Sequence, residues 1–179
     1  MKKTSQKINK NDIHIRKALK EDASALIDYV KIIADETEFL TFDSSEWNKT
    51  IKEEERIIEE HNSSNNQIFS LAKVDDKIVG ILKIQSSKKK RLEHSGELDI
   101  SVLKDYWSQG IGNALMTHNI IWAKKTGIIK KLNLVVSVNN KKAIGLYMKN
   151  GFIIEGMIRR DMKLNDSFQD AYQMGLLID

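Results

Sequence analysis

The chain has 179 residues, 41% hydrophobic and 30% charged, with a formal net charge of +4 and no cysteine. That length suits one domain with a sizeable core, and the composition is that of an ordinary globular chain. A chain without cysteine has no disulfide, no thiolate metal site and no cysteine-linked covalent intermediate.

No apolar run reaches the roughly 18 residues that a membrane-spanning helix needs. Residues 1–11 form a polar leader that carries Lys2, Lys3, Lys7 and Lys10 but no acid. No apolar segment follows it, so a secretory signal is not expected and the chain reads as cytoplasmic. Outside the leader the charges balance, which argues against a nucleic-acid partner and against a membrane surface. The run Lys88-Lys89-Lys90-Arg91 has no interleaved aromatics and reads as a solvated loop.

From residue 12 onward the elements follow without linker or repeat, so 12–179 reads as one domain. Ile13-His14-Ile15-Arg16 alternates as a first strand. Residues 23–39 carry a helical stripe at Ala23, Leu26, Ile27, Val30, Ile33 and Ala34, with Asp22 as its expected N-cap. A charged helix is expected over 51–61. Strands at 68–74 and 77–85 are joined by Asp75-Asp76, a hairpin signal. A strand over about 96–102 leads through a polar turn into Gly110-Ile111-Gly112, where a helix begins, with Ile111, Leu115, His118 and Trp122 on one face and a C-cap at Gly127. A strand at 132–138, a helix capped by Asn140 and closed by Asn150-Gly151, and strands at 152–158 and 171–178 complete a mixed α/β pattern.

The glycine turn carries most of the functional information. Glycines at a helix entrance let backbone amides approach a ligand, and the unpaired amides there favour anions. A pyrophosphate is the expected guest. A dinucleotide fold fits poorly, because it requires a third glycine where this chain has Leu115, and an acid about 20 residues later. The strand at 132–138 ends without one.

Two segments instead resemble the GCN5-related N-acetyltransferase (GNAT) superfamily. One is Val102 to Leu115, similar to its pyrophosphate-binding strand, turn and helix. The other is Asn140 to Phe152, which matches N-x-x-A-x-x-L-Y-x-x-x-G-F at each named position. The order of elements agrees as well, so the resemblance covers all but the leader. One departure is Trp107, which stands where the family usually has Arg or Gln.

The resemblance implies a single α/β (mixed α+β) domain, with a largely antiparallel central sheet splayed at the cofactor site and helices on both faces. It implies transfer of an acetyl group from acetyl-CoA to a primary amine of a small molecule or peptide N-terminus, by direct attack in a ternary complex. Gln109, Gly110, Ile111, Gly112 and Asn113 would surround the pyrophosphate, and Asn140 would contact the cofactor as well as cap its helix. Main-chain amides at Val102 and Leu103 would hold the acetyl end. Tyr147 would protonate the departing thiolate, being protonated at neutral pH by virtue of an ordinary pKa of about 10. Glu97 is the first candidate base, with Asp99, His94 or ordered water as alternatives.

No metal is expected. Relatives are often dimers, which leaves a homodimer open. The connection between the first two helices, with Asp35, Glu36, Glu38, Phe39, Phe42, Asp43, Glu46 and Trp47, would line the acceptor pocket, and acids beside aromatics would suit a cationic amine. The rival reading is a non-catalytic module that binds coenzyme A as a sensor.

Overall fold

The computed structural model describes residues 12–42 and 44–179, so the leader and Asp43 lie outside the described residues. Seven strands and four α-helices follow the order read from the sequence: β1 (His14–Lys17), α1 (Ala23–Glu36), α2 (Ile51–Ser63), β2 (Ile68–Val74), β3 (Lys77–Ser86), β4 (Ser95–Val102), α3 (Ile111–Thr126), β5 (Lys131–Ser137), α4 (Lys141–Lys149), β6 (Ile153–Leu164) and β7 (Ser167–Leu177).

Local chemistry explains most of the boundaries. Asp75 and Asp76 both take positive φ, 49° and 61°, which gives the tight turn between β2 and β3 its twist. Thr50 and Glu53 form a reciprocal capping box at the start of α2. Asn140 accepts from the Ala143 amide at the start of α4. Gly127, at φ 67°, ends α3 in a left-handed turn.

Several expectations need correction. Asp22 occupies the N-cap position of α1, as expected, but its side chain makes no capping bond. Its carboxylate turns back to accept from the Leu19 amide at 2.8 Å and from both terminal nitrogens of Arg16 at 2.6 and 2.8 Å. Helix α1 stops at Glu36, short of Phe39, because Thr37 is already extended. In α3 the buried polar position is Asn119, one residue past His118. Its amide accepts from the Ser70 hydroxyl at 2.8 Å and donates to the Leu115 carbonyl. Strand β6 runs six residues beyond Ile158, through a register shift between Ile158 and Met162 that takes up Arg160 at φ 55°.

The strands form one sheet in the order β1-β2-β3-β4-β5-β7-β6. All neighbours are antiparallel except β4 and β5. Strand alternation sends side chains to two cores. One face packs Leu98, Leu132, Leu134 and Val136 against Ile111 and Leu115 of α3 and Ile144 and Tyr147 of α4. The other packs Phe69 and Leu71 against Leu26, Tyr29 and Val30 of α1 and Ile58 of α2.

The parallel pair is the exception that matters. Strands β4 and β5 pair only from Ser95↔Lys131 to Glu97↔Asn133. Beyond that point β4 stays on β3 through Val102, and β5 stays on β7 through Ser137. The sheet therefore opens into a wedge between the C-terminal ends of β4 and β5.

Candidate active site

The wedge exposes main-chain groups that a continuous sheet would pair. The Leu103 amide donates to the Val79 carbonyl at 3.0 Å, which identifies 103 and 79 as a hydrogen-bonded antiparallel pair. In the same register Ser101 and Asp99 also bond to β3, so Ile100 and Val102 direct their N–H and C=O groups away from β3 and into the gap. This corrects the expectation for Leu103: its amide is taken and its side chain is buried in the core under α1. Ile100 is the residue missed at first. The period-two alternation along β4, anchored at Val102, was the signal that could have found it.

At the wide end of the wedge the chain turns into α3. The first intrahelical bond runs from the Ala114 amide to the Gly110 carbonyl at 2.9 Å, so the amides of Ile111, Gly112 and Asn113 have no partner within the helix. Gly110 holds φ 91°, a conformation side chains resist. A Cβ on Gly112 would lie 3.1 Å from Leu146 Cδ2, so this glycine lets the tip of α3 approach α4. The Asn113 side chain accepts from Asn150 Nδ2 at 3.2 Å, and Gln109 Nε2 donates to the Asp105 carbonyl at 3.0 Å. Both side chains brace the turn. The Asn140 oxygen is likewise engaged in capping α4. Trp107 spans the mouth: its indole N–H donates to the Val102 carbonyl at 2.6 Å, and Lys142 of α4 lies 4.9 Å from its ring centroid.

Tyr147 and Asp99 lie on opposite faces of the sheet. Tyr147 belongs to the α3–α4 face, where it is 7% exposed and its ring packs 6.0 Å from Phe152. Asp99 shares its strand parity with Ser101, whose hydroxyl bonds Tyr29 of α1, so it faces the α1–α2 side. Burial pushes the Tyr147 phenol well above the ordinary tyrosine value, and the Asp99 carboxylate adds to the rise. Asp99 is exposed, as Glu97 is, yet partial desolvation of its carboxyl lifts it above the usual aspartate range, with Lys83 opposing.

Glu97 lies two residues back, where the wedge is still closed. It is exposed and accepts from Asn133 Nδ2 at 3.1 Å. His94 lies in the turn before β4, outside the gap. On the α1–α2 side, Glu38 and Phe39 come over the open end and share a cleft of about 150 Å³ with Ser137, Met162 and Gln169. Of the other acids in that connection, Glu36 is bound to the Lys104 amide at 2.7 Å.

The arrangement suits a long, narrow guest with an anionic end at the α3 amides and an amide-bearing arm along Ile100 and Val102. The comparisons agree. Residues 29–152 match the model of the acetyltransferase (GNAT) family. A GNAT-family acetyltransferase from Streptococcus pneumoniae superimposes with a TM-score of 0.90 at 38% identity, over 93% of this chain and 99% of that one. The structure of yncA from Salmonella typhimurium, which holds its cofactor acetyl-CoA, shares the fold with a TM-score of 0.82 at 16% identity, over 94% and 95% of the two chains. The L-amino acid N-acetyltransferase AaaT of Escherichia coli (strain K12) is 32% identical over 104 residues, 58% of this chain. That alignment spans 64% of the relative, so the chain matches less than two thirds of its length. With the splayed sheet, the glycine turn and the family match in agreement, this chain belongs to the GNAT family of acetyltransferases.

Proposed function

We propose that the protein transfers an acetyl group from acetyl-CoA to a primary amine by direct attack, with Asp99 as base and Tyr147 as proton donor. The observation that carries this reading is the splayed β4–β5 pair, with Asp99 on β4 two residues beyond the last paired position, Glu97, and Tyr147 on α4, the helix that follows β5. The E. coli relative, named for L-amino acids, supports an amine as acceptor.

Acetyl-CoA, when bound, supplies the activated thioester. The amides of Ile111, Gly112 and Asn113 would take its pyrophosphate, as helix N-termini take anions. The main-chain groups of Ile100 and Val102 would hold the pantetheine arm, and the Ile100 amide would donate to the acyl oxygen as negative charge develops there. Asp99 would accept one proton from the acceptor ammonium, leaving a nitrogen lone pair free to form the new C–N bond as the C–S bond breaks; the second proton lost by that nitrogen replaces the one Tyr147 gives to sulfur, and Asp99 releases its own to solvent. Asp99 is favoured over Glu97 because it lies at the gap, whereas Glu97 lies beside Asn133 at the closed end. The Tyr147 hydroxyl, without a hydrogen-bond partner among the described residues, is free to donate to the departing sulfur.

The test is a thermal-shift titration with acetyl-CoA, with NAD and ATP as controls. Saturation at about 100 times the dissociation constant should add about 2.7 kcal/mol. Stabilisation by acetyl-CoA alone, followed by turnover on an amine panel, supports the reading. Binding without turnover would favour the sensor instead, and no shift would end both.

A further inference from the structure

On the α1–α2 face, Phe69, Lys83 and Asp99 form a row across β2, β3 and β4, each in register with the next. Lys83 and Asp99 are a hydrogen-bonded cross-strand pair on one face, where Cα atoms stand about 5.5 Å apart and opposite charges normally meet. These two do not. The Lys83 ammonium turns away and lies 4.2 Å from the centroid of the Phe69 ring. Among the described residues, neither it nor the Asp99 carboxylate has a hydrogen bond or an ion pair. Lys83 is half-buried and Asp99 exposed; partial desolvation lowers the proton affinity of Lys83, with Glu54 opposing, and raises that of Asp99, with Lys83 opposing.

The neighbours show what the space between them would accept. Helix α2 presents Glu54, 1% exposed, with Lys49 Nζ at 3.8 Å from its Oε2. His61 of the same helix bonds the Ile57 carbonyl through Nδ1 at 2.8 Å, and burial holds its ring below the ordinary histidine range. Two carboxylates are thus matched by two ammonium groups, and a polycationic acceptor would find no net negative charge here. A zwitterion would find an exposed carboxylate on β4 and, in register on β3, a lysine whose ammonium has a ring contact but no hydrogen bond or ion pair among the described residues.

We infer that the acceptor is a free α-amino acid, its amino group against Asp99 at the wedge and its carboxylate against Lys83. The inference rests on the acetyl-transfer reading above and names its substrate class. Lys83 is then the specificity-determining residue: it holds the carboxylate and takes no part in the proton transfers.

The experiment compares a set of free L-amino acids with their carboxamides, the corresponding decarboxylated amines and spermidine. Acetyl-CoA binding is first measured by calorimetry on wild type, Lys83→Met and Lys83→Arg. Wild type should favour the free acids by about 10-fold or more in kcat/KM, because a half-buried cation left without its anion disfavours the analogue. Lys83→Met should raise KM for the acids by a similar factor with kcat and the carboxamides little changed, and Lys83→Arg should retain the preference. Equal use of carboxamides, preference for spermidine, an unchanged KM in Lys83→Met, or no turnover of any carboxylate-bearing amine would overturn the assignment. Acetyl-CoA binding in wild type separates the cases. Its absence sinks the acetyl-transfer reading, while its presence without a carboxylate preference sinks only the amino-acid acceptor.

Discussion

The indole N–H of Trp107 donates to the Val102 carbonyl across 2.6 Å, closing a bond between the glycine turn and the strand that borders the wedge. Val102 directs that carbonyl into the gap, so the indole ring stands at the entrance of the proposed cofactor slot. Lys142, stacked on the ring, ties it to the far arm of the wedge. Trp107→Phe should keep the ring and lose the hydrogen bond, at a cost of about 1 kcal/mol in stability. Fluorescence titration with acetyl-CoA should show a change in wild type and in Trp122→Phe but not in Trp107→Phe. A full response in Trp107→Phe would place the cofactor elsewhere.

Tyr147→Phe should lower kcat by about 100-fold or more, the range for a lost proton donor, with acetyl-CoA affinity nearly unchanged. The ring stays packed on Phe152, and the hydroxyl gives up no hydrogen bond among the described residues. The melting temperature should therefore move little. Steady-state kinetics beside calorimetry decides it, and equal kcat in both proteins would remove Tyr147 from the mechanism.

In the proposed mechanism Asp99 couples activity to pH. Its carboxyl is raised by desolvation, so the active carboxylate is lost as pH falls through a value above the ordinary aspartate range. The acidic limb of kcat/KM should lie there, be absent in Asp99→Asn, and survive in Glu97→Gln. Stability runs the other way. A carboxyl whose folded pKa is raised stabilises the fold at low pH and ceases to do so as pH rises through that value. Asp99→Asn should therefore melt at a higher temperature than wild type at neutral pH while losing activity, measured by calorimetric scans at pH 5 and 7.

Asp22 gives the opposite sign. Desolvation alone would raise its carboxyl, but the Arg16 hydrogen bonds and the Leu19 amide outweigh it and the net shift is downward. This group stabilises the fold at neutral pH and stops doing so as pH falls through its folded value, below the ordinary aspartate range. Asp22→Ala removes three short hydrogen bonds near the start of α1 and should cost about 2–3 kcal/mol at pH 7. The deficit should narrow in acid, as urea melts at pH 3 and 7 would show.

The two glycines of the turn should fail differently. Gly110→Ala meets nothing within 4 Å, so its cost is the strain of φ 91°, about 1–2 kcal/mol. Gly112→Ala instead meets Leu146 and pushes α3 from α4. Both should weaken acetyl-CoA binding, Gly112→Ala the more, as calorimetry on the purified variants can measure.

The element order, the hairpin at Asp75-Asp76, the glycine turn and the Asn140 cap were all legible in the sequence, because each depends on residues close together in the chain. Strand period, capping chemistry and positive φ are local properties, and they marked out the segment from Val102 to Asn113 without any tertiary information. Three features were not local. Asp22 read as a helix cap until Arg16 claimed its carboxylate. Leu103 and Ile100 could be assigned their directions only once β3 supplied the register. The preference for Asp99 over Glu97 came from the point where β4 parts from β5, a distance between strands about 35 residues apart in the chain. The sequence by itself determined which segments could form a cofactor turn. The tertiary structure decided which main-chain groups face the gap, because that depends on where hydrogen bonding between distant strands stops.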